Sequence, residues 1–329
     1  MYYIIDKSTD PYWNLAAEEY LLRQFDKPVF RLWQNNNAII IGEHQNALAE
    51  INVDFVRENN IAVVRRLSGG GAVFHDLGNV NFTFIDTRAG SEDTREMFVR
   101  FTKPVLDALN AIGVDAKLEG RNDLVIDGRK FSGNAIAIYK NRVLQHGTLL
   151  FSASMANLGE ALANRPEKFT GKSVQSNRSR VTNISEHLHT PMTIEEFIDY
   201  MYRFINSSGY SGYSRYEYTP EDIDAIDKLV KEKYGTEEWN FRHSPKYSFR
   251  KVTKFPGGLV ELYMNVNKGF IEEIKIYGDY FFTRETNEIE SLLLGCAHNS
   301  DSLRERLSSL ALSDYFANIS ADEFLTLFD

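Results

Sequence analysis

A chain of 329 residues is longer than a single hydrophobic core usually serves, so two domains are expected. Its net charge of -9 argues against a broad nucleic-acid surface, which needs clustered cations to release phosphate counterions. No apolar run is long enough for a membrane span, the start Met1-Tyr2-Tyr3-Ile4-Ile5-Asp6 lacks a secretory pattern, and the lone Cys296 excludes an internal disulfide framework, so a cytoplasmic protein is expected.

Asp10-Pro11 offers an N-cap and a first-turn proline ahead of the apolar spacing in Tyr12 to Leu22, which predicts a first helix. Val29 to Trp33 and Ala38 to Ile41 are β-rich, and Asn35-Asn36-Asn37 between them predicts a hairpin. Phe98, Phe101, Val105, Leu109 and Ile112 form one helical stripe that ends at Gly113. Leu124 to Phe151 reads as adjacent hairpins turning at Asp127-Gly128 and Lys140-Asn141. The basic stretch Arg165, Lys168, Lys172, Arg178, Arg180 is either a solvated loop or a contact for an anionic ligand or acidic partner. His187-Leu188-His189 reads as a solvated turn rather than a zinc site, so no metal site of His or Cys is expected. From about residue 246, alternating strands around Pro256-Gly257-Gly258 and Lys268-Gly269 precede helical runs at 289–294 and 303–310. The expected fold class is α+β: a mixed, largely antiparallel sheet flanked by helices in a domain spanning 1–245, plus a small α/β C-terminal domain spanning 246–329.

Two segments carry candidate chemistry. Arg65-Arg66-Leu67-Ser68-Gly69-Gly70-Gly71 lies between β-like Val63-Val64 and Ala72-Val73-Phe74. Three glycines in a strand connection form either a flexible turn with exposed arginines or a loop whose bare N–H groups meet an anion. The neighbouring Ser68, His75 and Asp76 favour the anion. Gly171-Lys172-Ser173 resembles the end of a P-loop, but Pro166 stands where that motif needs glycine. In the second segment, period-two alternation after Asp127-Gly128 places Lys130, Ser132 and Asn134 on one strand face, with Gly133 leaving room beside it. Lys130 is there either a surface lysine past a turn or a contact for a carboxylate or phosphoryl oxygen. His146 and Thr148 share a face of the next strand, where a histidine by itself is more often structural than catalytic.

Arg65 through Asn79, Gly120-Arg121-Asn122-Asp123-Leu124, Arg129-Lys130-Phe131-Ser132-Gly133, His146-Gly147-Thr148-Leu149-Leu150 and Ser179-Arg180-Val181-Thr182-Asn183 together resemble the lipoate-protein ligases over essentially the whole chain. The resemblance implies a fold shared with biotin ligases and an accessory C-terminal domain. It implies activation of lipoate by ATP to lipoyl-AMP, then transfer to a lysine of lipoyl domains of 2-oxo-acid dehydrogenase complexes or of the glycine cleavage H protein. ATP contacts fall on Arg66, Gly71, Ala72, Val73, Phe74 and Lys130, lipoate contacts on Lys130, Ser68, His75 and His146, with Lys130 the catalytic residue. Asn81, Asn122, Ser132 and Thr148 are further candidates, and Asp123 is the candidate Mg²⁺ ligand. A monomer is expected, acting on neither nucleic acid nor membrane. The competing activities are an octanoyl or lipoyl transferase working through a cysteine, disfavoured because Cys296 lies far from the motifs, a biotin ligase, disfavoured because its Gly-Arg-Gly-Arg loop is missing, and a lipoate-binding protein without catalysis. Gly42-Glu43-His44-Gln45-Asn46 departs from the family pattern, which often has a basic residue at Glu43.

Overall fold

The computed structural model describes residues 1–90, 92–162, 181–207, 214–241, 249–267 and 270–328, so the basic stretch 165–180 lies outside the described residues. In chain order the elements are β1 (Tyr2–Ile5), α1 (Pro11–Gln24), β2 (Val29–Trp33), β3 (Ala38–Ile41), α2 (Ala47–Glu50), α3 (Val53–Glu58), β4 (Ala62–Arg65), β5 (Val73–His75), β6 (Asn79–Thr87), α4 (Thr94–Ala111), β7 (Ala116–Glu119), β8 (Asp123–Ile126), β9 (Arg129–Tyr139), β10 (Arg142–Leu150), α5 (Met155–Ala161), α6 (Ile194–Ser207), β11 (Ser214–Arg215), α7 (Pro220–Leu229), α8 (Glu237–Phe241), β12 (Phe249–Phe255), β13 (Gly258–Asn267), β14 (Phe270–Gly278), α9 (Asn287–Leu293), α10 (Ser300–Leu307) and α11 (Ala321–Leu325).

Eight strands form one mixed sheet in the order β11-β1-β2-β6-β10-β9-β8-β7, parallel where β1 meets β11 and β2 and antiparallel across the rest. A second sheet has β3 between parallel β4 and antiparallel β5, and the third is the antiparallel meander β12-β13-β14. The hairpin expected of β2 and β3 does not form. Every residue of both strands is buried, and each strand takes two neighbours elsewhere, β2 between β1 and β6, β3 between β4 and β5. Their connection is a crossing between sheets, fixed by buried Asn35, whose Oδ1 accepts from Asn14 Nδ2 at 3.0 Å while its own Nδ2 lies 3.1 Å from His75 Nδ1.

Local signals explain the helices nearest the site. The Asp10 carboxylate accepts from Tyr12 N to start α1, and a reciprocal Asp93–Glu96 capping box starts α4, each cap contributing about 1 kcal/mol. On one face of the large sheet Phe30, Leu32, Val80 and Phe82 join Phe98, Phe101 and Val105 of α4 and Phe197 and Met201 of α6 in the main core. On the other face α1 and the β4-β3-β5 sheet cover the strands, with Leu15, Trp33, Ile40 and Val64 in one cluster. α1 is therefore buried on nearly every side, Asn14, Glu18 and Glu19 included. The C-terminal meander and its helices pack around Leu262, Ile276, Tyr280, Phe316 and Phe324, a core of their own.

Candidate active site between the two N-terminal sheets

Two adjoining cavities open where the large sheet faces the β4-β3-β5 sheet. The narrow one, about 140 Å³, is lined by the apolar Trp33 and Ile40 and by Arg66, Asn81, Lys130 and His146 among its polar groups. The wider one, about 660 Å³, adds Phe74, Asp123 and Ser132 and shares Ala72, Val73, Lys130, Gly133 and Thr148 with the first.

β4 ends in two arginines, and successive side chains of an extended chain point to opposite sides. Arg65 is fully buried and structural: its Nη1 donates to the carbonyls of Gly42, Glu43 and Gln45 at 2.7–2.9 Å, its Nε to Trp239 O and its Nη2 to Asn240 O. It ties the Gly42–Gln45 turn to α8. Arg66 turns to the cavity. Its Nε donates to Ser68 Oγ at 3.0 Å, one Nη1 hydrogen to Ile40 O, and Nη2 to the carbonyls of Gly69 and Gly71. Four of the five guanidinium donors are thus used on neutral acceptors, one Nη1 hydrogen is left over, and no carboxylate pairs with the group among the described residues. Burial pulls this guanidinium down to about 10, partly opposed by Glu18, Asp279 and Glu43. A buried cation solvated only by dipoles is poised for an anion.

The glycine loop is filled in part by the chain itself. A Cβ on Gly69 would run into the carbonyl oxygen of Tyr280, and Gly70 sits at φ +90, with Arg66 Nη2 where its Cβ would point. Gly71 alone of the three has, among the described residues, nothing nearer than Asp279 Oδ2 at 3.9 Å to that position. The segment after β14 therefore lies over the loop. Gly278 N donates to His44 O at 2.7 Å, the His44 ring stacks on Tyr280, and Arg121 holds the opposite edge through Gly257 O and the Phe281 ring, 4.3 Å away. Burial lowers the Arg121 pKa against the pull of Asp279 and Asp123.

Lys130 does not share a face with Ser132 and Asn134. The β8–β9 register slips between Leu124 and Val125, so that Leu124 faces Ser132 but Val125 faces Lys130, leaving Phe131 as an extra residue. Ser132 and Asn134 then bond each other at 3.2 Å, while Lys130 Nζ stands 3.0 Å from where a Cβ of Gly133 would be. The bulge thus swings the lysine onto the cavity side, and Gly133 supplies its room. Nζ pairs with Asp123 Oδ1 at 2.7 Å, and the Lys130 carbonyl accepts from Thr182 N. Asn122 and Asn134 bond reciprocally through side chain and backbone, which holds the motif against β9.

Facing this lysine, β10 presents His146 and Thr148, and β6 presents Asn81 and Thr83 as their register partners. His146 Nδ1 lies 2.9 Å from Glu18 Oε2, and its Nε2 lies 2.6 Å from Ser68 Oγ. Burial by itself would raise the Glu18 carboxyl, but His146, Arg31 and the Thr83 hydroxyl hold it below the usual range. His75 is fully buried, and burial, then Arg66 and His146, push its imidazole down to about 3. Because its Nδ1 faces the Asn35 amide donor, the proton belongs on Nε2, which has no partner among the described residues; the same holds for Asn81 Nδ2.

Of the residues singled out in the sequence, Arg66, Gly71, Ala72, Val73, His75, Asn81, Asn122, Lys130, His146 and Thr148 line the narrow cavity, and Phe74, Asp123 and Ser132 line the wide one. Ser68 lines neither; it is buried between Arg66 and His146. Sequence reasoning missed Glu18, Trp33, Thr83 and Asn35. A signal existed for Glu18, a carboxylate spaced three from Leu15 and four from Leu22 on one helix stripe. Cys296 is buried in the C-terminal core, away from the cavities, with Sγ near Ala297 O.

Residues 10–206 match the family of lipoyl protein ligase A/B catalytic domains, and residues 244–328 match the bacterial lipoate protein ligase C-terminus. Over 321 residues the chain is 43% identical to lipoate-protein ligase LplJ of Bacillus subtilis, covering 97% of this chain and 96% of that one. Among solved structures, LipL1 of P. falciparum in complex with lipoate superposes with a TM-score of 0.78 at 25% identity, over 99% of this chain and 97% of that one. A lipoate-protein ligase A bound with ATP gives 0.64 at 27% identity, covering 73% of this chain and 98% of the other. No described helix is long and apolar enough to cross a membrane. With both family regions matched, the fold shared and near-full-length identity above two-fifths, this chain belongs to the lipoate-protein ligases.

Proposed function

We propose that the protein joins lipoate to acceptor domains in two ATP-dependent steps at the cavity between its N-terminal sheets. The observation that carries this reading is Arg66, a buried guanidinium with no carboxylate partner among the described residues, lining the same cavity as Lys130. In the first step the lipoate carboxylate attacks the α-phosphorus of ATP; the bond to the bridging oxygen breaks and pyrophosphate leaves. In the second, the acceptor lysine amine attacks the acyl carbon, AMP departs with the bonding pair, and the amine loses a proton. Nothing in this sequence needs an enzyme nucleophile, in keeping with the distance of Cys296 from the site. The chain supplies placement and charge: the Arg66 Nη1 hydrogen and the open backbone from Gly71 to Phe74 meet phosphate oxygens, and Lys130 bridges nucleotide phosphate and lipoate carboxylate. The dithiolane tail lies toward Leu15, Trp33, Ile40 and Val73, with His75 Nε2, Asn81 and His146 as polar limits and Ser68 acting from behind them. Asn122, Ser132 and Thr148 shape the walls.

Magnesium fits at Asp123. Asp123, a half-exposed carboxylate on the wide cavity with one oxygen paired to Lys130, would hold the ion through its other oxygen. When bound, the ion neutralises phosphate charge. Residues 1–245 act as the catalytic domain and 246–329 as the accessory domain. The protein works as a cytoplasmic monomer, on lipoyl domains of 2-oxo-acid dehydrogenase complexes or the glycine cleavage H protein.

The test is pyrophosphate release from purified protein with lipoate and Mg-ATP, followed by the mass shift of an added lipoyl domain. Lys130→Ala abolishes lipoyl-AMP formation and leaves thermal stability nearly unchanged, because its exposed ion pair contributes at most about 1 kcal/mol. Full adenylation by that variant rejects the lysine's role; absence of pyrophosphate from the wild-type protein at saturating substrates rejects the ligase reading.

A further inference from the structure

Six polar groups form an unbroken chain from Trp33 to Arg66, both of which line the narrow cavity. Trp33 Nε1 donates to Thr83 Oγ1 at 2.9 Å, and Thr83 Oγ1 donates to Glu18 Oε1 at 2.5 Å. From the other end, Arg66 Nε donates to Ser68 Oγ at 3.0 Å, Ser68 stands 2.6 Å from His146 Nε2, and His146 Nδ1 stands 2.9 Å from Glu18 Oε2. Both termini, an indole and a guanidinium, can only donate, and a carboxylate can only accept. These ends fix four of the five directions, Trp33 to Thr83, Thr83 to Glu18, Arg66 to Ser68 and His146 Nδ1 to Glu18. In the fifth, His146 Nε2 shares a hydrogen with Ser68 Oγ. Trp33, Thr83, Glu18, His146, Ser68 and Arg66 come from β2, β6, α1, β10 and the loop after β4, and all six are buried.

We propose that Glu18 is a positioning residue for the ligation reaction, acting through His146 and Ser68 to hold the Arg66 guanidinium in the plane in which its remaining Nη1 hydrogen meets the nucleotide phosphate. This rests on the ligase reading above. A buried carboxylate is costly to desolvate and persists only where its partners repay that cost. Here it is kept two side chains away from a buried cation that has no carboxylate of its own among the described residues. Direct pairing would occupy the guanidinium with a permanent anion. The relay delivers the counter-charge from a distance and spends only Nε, so the cation is oriented and still free to take phosphate. It also joins the Trp33 end, where the acyl tail lies in the ligase reading, to the phosphate end.

The tests are Glu18→Gln and Ser68→Ala in the full-length protein, followed by lipoate-dependent pyrophosphate release and by ¹⁵N NMR of His146. With Thr83 still donating to the amide oxygen, the glutamine NH₂ faces Nδ1, which must then accept, so the His146 ring carries its proton on Nε2. Adenylate formation falls at least about 30-fold in kcat, while the lipoate Kd, from tryptophan fluorescence, stays within about twofold. Ser68→Ala leaves the Glu18–His146 pair in place and produces the same loss, and the double variant loses no more than either single one. An unchanged kcat in either variant, multiplied losses in the double variant, or an unaltered His146 tautomer in Glu18→Gln overturns the proposal. If the wild-type protein releases no pyrophosphate, the ligase reading fails, whereas the tautomer measurement still decides the relay.

Discussion

Replacing His75 by asparagine should flatten the acid side of the stability curve. Asparagine keeps an oxygen near the place of Nδ1 to accept from Asn35, but it cannot take up a proton. The imidazole is held near 3 in the folded protein by burial and by Arg66 and His146, against an ordinary value of 6.5. The folded form therefore prefers the neutral ring. Below pH 6.5 the unfolded chain binds a proton that the folded chain refuses, so this stability is present in full above 6.5 and is lost as pH falls toward 3. The slope is about 1.4 kcal/mol per pH unit, so between pH 7.5 and 4.5 the wild-type protein loses about 2.7 kcal/mol more than His75→Asn. A lost ring leaves a small cavity, which lowers the variant by a constant at every pH and does not alter the slope. Urea titrations followed by tryptophan fluorescence suit the question, because Trp13, Trp33 and Trp239 all precede the C-terminal meander. Parallel pH dependences of the two proteins would show that His75 titrates normally and that its burial has been misread.

Gly69→Ala places a methyl against the Tyr280 carbonyl, and displacing that backbone costs about 1–3 kcal/mol. Amide exchange at Gly278, whose N–H bonds His44 O, should accelerate about five- to 150-fold, and an unchanged rate would refute the contact. Arg65→Met strands the carbonyls of Gly42, Glu43, Gln45, Trp239 and Asn240, and denaturant titration should find it at least about 3 kcal/mol less stable. A loss under 1 kcal/mol would mean that water or neighbouring groups satisfy those oxygens.

Where the fold was legible, a local rule and the tertiary outcome agreed. Asp127-Gly128 takes positive φ at both residues, 51° and 70°, and turns β8 into β9 as the dipeptide requires. Asp10-Pro11 and the Phe98–Leu109 stripe place α1 and α4 for the same reason. The β2–β3 hairpin failed because two short apolar strands joined by asparagines look alike whether they pair with each other or cross between sheets. Only the long-range partners of Asn35, on α1 and β5, decide that question, and no local spacing contains them.

The site divides along a similar line. Its residue types were legible, since Arg66, Lys130, His146 and the cavity-lining stretch from Gly71 to Val73 stand out in sequence; its geometry was not. The three glycines suggested a backbone left bare for a ligand, yet Gly69 is required by the protein's own Tyr280 carbonyl and Gly70 by its positive φ, which leaves Gly71 as the open position. Period-two counting put Lys130 beside Ser132, and one extra residue in β9 moved it across the strand. A bulge that shifts the register by one residue changes the face of everything on one side of it, so a cavity-lining side chain next to one is placed by the bulge and not by the alternation. Glu18 was passed over for the converse reason. On a helix read as amphipathic a glutamate is assigned to solvent; its place on the stripe of Leu15 and Leu22 marks it as buried, but its partners appear only once both sheets close over α1 and leave its carboxylate between Thr83 and His146. The charges that matter most here are those the chain buries at a cost, and burial is a property of the assembled layers.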